Sequence, residues 1–130
     1  MNTAGAQDQV TEEFTLLGLR HVRELVARLA GIAGVPSDRI DVLVWAANEI
    51  ATNAVVHGGG RGRITITATE GGVRVAVTEW GPGVAGPSAD DGPGLDAPGG
   101  RGLSLTRQLY PGMIVTTSPA GTTVTVFARR

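Results

Sequence analysis

Cysteine and lysine are both missing from the 130 residues. Without cysteine there are no thiol nucleophiles, disulfides or zinc–thiolate sites, which suits a cytosolic protein. All eleven basic residues are arginine. That removes the P-loop lysine, the strand lysine of protein kinases and Schiff-base chemistry. No apolar run approaches the roughly 18 residues of a membrane span. The first residues, with Asp8, Glu12 and Glu13, lack the basic and apolar regions of a signal peptide. Neither a membrane nor an export route is therefore expected, and the location expected is cytoplasmic. The formal net charge of −1 gives no electrostatic reason to expect direct nucleic-acid binding.

What is present fits one globular domain. Hydrophobic residues make up 42% and charged residues 18%, ordinary values for a chain of this length that builds a single core. Residues 1–13 are read as a flexible N-terminus and 14–130 as the domain. From Leu17 to Ala33, Leu19, Val22, Leu25, Val26, Leu29 and Ile32 recur at helical spacing, and Gly34 with Pro36 ends the run. His21, among charges, reads as a surface residue. A second helix is predicted from Asp38 to His57, with Ser37 as its N-cap and Gly58-Gly59-Gly60 as its stop. The period then changes to two. Ile64, Ile66 and Ala68, a Gly71-Gly72 turn, and Val73, Val75 and Val77 describe a hairpin with one buried face. Residues 84–101, crowded with Gly, Pro and Asp, offer little apolar surface and read as a lid. A short helix from Gly102 to Leu109 follows. A second hairpin, Met113–Thr117 and Thr122–Ala128 around Pro119-Ala120-Gly121, closes the chain, with Val124 and Val126 alternating. Two hairpins and three amphipathic helices predict an α/β fold in which helices cover one face of a sheet.

Asn48 to His57 is the stretch around which the rest is arranged. At about 100° per residue, Glu49, Asn53 and His57 fall along one flank, and Leu43, Ala47, Ile50 and Ala54 face roughly the other way. Two asparagines, a threonine and a histidine within one helix run against propensity, as tends to happen at a site.

Two glycine motifs compete for attention. Gly81-Pro82-Gly83-Val84-Ala85-Gly86 literally matches the dinucleotide fingerprint, but Pro87, Gly92 and Pro93 follow and no helix can open there, so that reading fails. Gly99-Gly100-Arg101-Gly102 does lead into a helix, where free N–H groups can face an anion. A carboxylate-bearing helix, Glu79 and a glycine turn after a strand, and a phosphate-ready helix start together describe a nucleotide pocket without a P-loop.

At these residues the chain resembles the GHKL ATPases, the group of gyrase, the histidine kinases and the anti-sigma serine kinases. Glu49 to His57 matches the N box, Glu79-Trp80-Gly81-Pro82-Gly83 the first glycine box (Asp-x-Gly-x-Gly), Gly100 to Leu105 the second, and Gly121-Thr122-Thr123-Val124 the last. The resemblance covers residues 14–128 and implies a two-layer sandwich, a mainly antiparallel sheet of four to five strands with three helices on one face. It also implies Mg²⁺ and ATP as cofactors. By it, Asn53 would bind Mg²⁺, Glu49 would be general base, and Glu79 would take the adenine amino group, with Gly81 and Gly83 in the same box. Gly100, Arg101, Gly102 and Leu103 would cradle phosphates, and Thr123 would line the base pocket. A neutral amide oxygen suits a hard cation bridged by phosphates, and a carboxylate one turn away can accept a hydroxyl proton during phosphoryl transfer. Glu79 stands where the family has aspartate, keeping the acceptor but adding a methylene. A single helix around His21 is too little for a sensor histidine kinase, so the resemblance points to the small anti-sigma branch. That branch implies a serine-protein kinase working by partner switching, with a sigma factor and an anti-sigma antagonist as partners and a possible homodimer. A non-catalytic interaction module of the same fold and a simple ATPase stay open as alternatives.

Overall fold

The computed structural model describes residues 9–80 and 100–130. Its elements are β1 (Gln9–Phe14), α1 (Leu19–Ile32), α2 (Ser37–His57), β2 (Gly62–Thr69), β3 (Gly72–Glu79), α3 (Gly100–Leu109), β4 (Ile114–Ser118) and β5 (Gly121–Arg129), with a 3-10 turn at Leu16–Gly18. The strands form one sheet in the order β1-β2-β3-β5-β4. Every pairing is antiparallel. The three helices lie on one face, as the α/β sandwich reading expects.

The core is the meeting of two periodicities. Ile64 and Ile66 of β2, Val73, Val75 and Val77 of β3, and Val124, Val126 and Ala128 of β5 are buried on the helix side. Against them lie Val22, Leu25, Val26 and Leu29 of α1 and Leu43, Ala47, Ile50 and Ala54 of α2. The small alanines of α2 let that helix sit close to the sheet, which places its polar flank beside the strand ends.

Element ends follow local chemistry. Gly34, at φ 86°, ends α1 while Ala33 N–H donates to Leu29 O and Val35 N–H to Ala30 O. The start of α2 differs from expectation: Ser37 is its first helical residue, and Pro36 holds the N-cap position without a side-chain cap. There the Pro36 carbonyl accepts from both Arg39 and Ile40 N–H at 2.9 Å. The first hairpin also shifts by one. Its turn is Glu70-Gly71, because Gly72 already pairs in β3 at φ 149°, where an added Cβ would lie 2.0 Å from Ala128 O.

The expectation of a loose terminus through residue 13 fails for residues 9–13. They belong to β1, which pairs with β2 from Gln9↔Thr67 to Phe14↔Gly62. Val10, Glu12 and Phe14 turn towards the helices, Phe14 completely enough to join the core. Glu12 accepts from His21 Nε2 at 2.9 Å, so His21 is a tie between α1 and the edge strand. Among the described residues no helix is long and apolar enough to cross a membrane.

Candidate functional site

The polar flank of α2 divides into spoken-for and waiting groups. Arg23 of α1 donates to Asn48 Oδ1 at 2.9 Å, and Thr52 Oγ1 donates to the Asn48 carbonyl at 2.7 Å. Asn48 is thus explained by the packing of α1 on α2, and Thr52 by a bond back to its own helix. Asn53 is not. Its Oδ1 is buried and has no hydrogen-bond partner among the described residues. Leaving an amide oxygen so costs about 1–3 kcal/mol, a cost a ligand at that atom removes. Glu49, half-buried, precedes it by one helical turn on the same flank.

The C-terminus of α2 meets the sheet at Glu79. Gly58 caps the helix, and a Cβ on it would lie 2.6 Å from Glu79 Cβ and 2.4 Å from the Ala54 carbonyl. Only a residue without a side chain lets the helix end against that carboxylate. On the other side, a Cβ at Gly121 would lie 2.0 Å from the Glu79 carbonyl oxygen. Glu79 is 4% exposed and Thr122, its partner in the β3–β5 register, 7%. Both face the helices. A buried acceptor carboxylate on the helix side of the sheet is suited to reading a hydrogen-bond donor such as an exocyclic amino group; the hydroxyl of Thr122, its register partner, donates to Thr117 Oγ1 at 3.4 Å.

Thr123 is not brought there. Strand alternation puts it on the opposite face, where its Oγ1 bonds Thr78 Oγ1 at 2.8 Å. Thr122 is the threonine on the face of Glu79. Parity with buried Val124 and Val126 was the signal that finds it. Gly100, Arg101 and Gly102 form the first turn of α3, and α3 packs on α2. The Leu103 side chain is buried in the core, so its backbone N–H is what it can offer an anion. Gly81, Gly83 and residues 84–99 of the lid reading (84–101) lie outside the described residues, and the last two lid positions, Gly100 and Arg101, belong to α3, which begins two residues before the expected Gly102.

The donor set tests the metal expectation. Among the described residues no three His, Asp or Glu side chains gather as a metal cage. One orphaned amide oxygen fits a cation whose other ligands are phosphate oxygens and water, the usual habit of Mg²⁺.

The sequence matches the family described as histidine kinase-like ATPase domain over residues 14–127, and the chain belongs to that family. Among solved structures it is similar to the RsbU and RsbW domains of Rv1364c from Mycobacterium tuberculosis, at 24% identity and a TM-score of 0.65. The likeness covers 95% of this chain and 32% of that one, so the chain spans about a third of its neighbour's length. No curated protein matches it in sequence.

Proposed function

We propose that this chain is a Mg·ATP-binding regulatory protein of the anti-sigma type, a serine-protein kinase that acts by partner switching in the cytoplasm. The observation that carries the reading is the buried Asn53 Oδ1, without a partner among the described residues, one turn from Glu49. Membership of the ATPase family supports the nucleotide, and the RsbW domain in the neighbouring structure suggests the branch. Asn53 would hold Mg²⁺, which supplies charge neutralisation at the phosphates. Glu79 with Thr122 would receive the adenine edge, and the N–H groups of Gly100 to Leu103 would face the phosphates. A serine hydroxyl of an antagonist protein then loses its proton to the Glu49 carboxylate as its oxygen bonds the γ-phosphorus and ADP leaves. A sigma factor is the proposed sequestered partner, and a homodimer the proposed assembly.

Isothermal titration with ATP, with and without Mg²⁺, is the first test. Saturable binding strengthened by Mg²⁺ is expected. Absence of binding in both conditions leaves a bare interaction module and overturns the proposal. Labelled ATP with candidate antagonists then separates a kinase from an ATPase that releases only free phosphate.

A further inference from the structure

The residue that follows Glu79 is held from the other side of the sheet. Trp80 lies under two guanidinium groups, with Arg63 Cζ 4.9 Å and Arg61 Cζ 5.4 Å from its ring centroid. Both arginines share Glu13 of β1. Arg63 Nη2 is 3.4 Å from Glu13 Oε2, and Arg61 Nη1 is 3.7 Å from Oε1. Two arginines from the start of β2, both braced by Glu13 of β1, therefore converge on one indole at the end of β3.

Their position along the sheet gives them a use. The β2–β3 register ends at Arg63↔Thr78, whereas the β3–β5 register runs one residue further, to Glu79↔Thr122. The β2 register thus stops one residue short of Glu79. Arg61 and Arg63, from that side, grip the next residue instead. Cations over an indole attract its face, most strongly where water is partly excluded, and Trp80 is half-buried.

We propose that Trp80, clasped by Arg61 and Arg63, is a positioning residue that fixes Glu79 against the base and thereby sets discrimination between adenine and guanine nucleotides. This rests on the reading of Glu79 as the base-contacting acceptor. ATP offers an amino donor at the ring position where GTP offers a carbonyl, so only ATP gains from a well-aimed carboxylate. A strand end that wanders loses that gain and leaves the contacts shared by both nucleotides in place. A merely stabilising cluster has a different signature, since its loss lowers both affinities alike through the folded fraction.

Competition binding of ATP and GTP decides, measured on wild type, W80A, W80F and R61Q/R63Q, with thermal unfolding of each alongside. In W80A and R61Q/R63Q, ATP should weaken about three- to thirty-fold, the scale of one or two such contacts, with GTP nearly unchanged. W80F, which keeps an aromatic face, should restore most of the preference. If W80A does not fold, R61Q/R63Q keeps the ring and gives the same reading. ATP preference retained in the folded clasp variants overturns this inference alone, as does an equal loss for ATP and GTP. No ATP preference in the wild type, or an unchanged preference in E79A, overturns the parent reading and this one with it.

Discussion

Asn48 and Asn53 are the same residue on the same helix, and their surroundings give them opposite roles. The Asn48 side chain is taken by Arg23, while Asn53 keeps a buried oxygen unclaimed among the described residues. N53A should therefore remove the Mg²⁺-dependent part of ATP affinity and leave the Mg²⁺-free part intact; calorimetry in both conditions checks this. E49Q should bind ATP nearly as well as wild type while phosphoryl transfer falls by roughly two to four orders of magnitude, the usual scale for a general base. A labelled-phosphate assay that found the wild-type rate in E49Q would falsify the base assignment. The two threonines of β5 supply a second contrast. T122V should weaken ATP about three- to ten-fold, the worth of roughly one neutral hydrogen bond. T123V should leave ATP alone and cost about 1 kcal/mol of stability, through the lost bond to Thr78. If nucleotide titration ranks the pair the other way, the assignment of faces is wrong.

At the scale of elements, the edge strand β1 is where reading and structure part. The helices were legible because Val22, Leu25, Val26 and Leu29 repeat at 3.6. Both hairpins were legible because valines alternate with polar residues around glycine turns. β1 carries only Val10 and Phe14 on its inner face, with Glu12 between them, so its alternation reads as a polar terminus. Glu12 is tolerated there because the strand is at the edge and His21 meets it at 2.9 Å. Four motifs in order gave the family, but sequence spacing alone does not say which of two adjacent threonines faces the helices. Gly58 was legible as a helix stop, yet its contact with Glu79 depends on where the helix ends in space. Phe14 tests how much the edge strand matters. Its ring lies where a Cβ on Gly62 would be 2.9 Å from Cζ, and it is buried. F14A should cost roughly 3–5 kcal/mol, read as a drop in the urea midpoint at unchanged slope. A loss below about 1 kcal/mol, within the range of surface substitutions, would mean that β1 adds little to the fold.

For the whole molecule, alkaline pH exposes the junction of α3 with the second hairpin. Tyr110 follows α3 and takes part in its end, accepting from Met113 N–H and donating its own N–H to Thr106 O. Burial raises its hydroxyl above the ordinary 10.0. The unfolded chain thus ionises first, so the tyrosine's contribution is whole below about pH 10, and is lost as pH climbs towards the folded value. Urea midpoints across that range should fall less steeply in Y110F than in wild type; parallel curves would show that Tyr110 is not the group responsible. The sheet order has a temporal meaning as well. β2–β3 and β4–β5 are local hairpins of the kind that form within microseconds. The β3–β5 seam joins them across the long segment between, and must bear the entropy of closing that loop. Glu79 and Thr122 face each other only once this seam is shut. A chain with both hairpins made and the seam still open lacks the face proposed to read the base, so nucleotide should leave the refolding rate untouched and slow unfolding alone, a division that stopped-flow measurements with and without ATP can resolve.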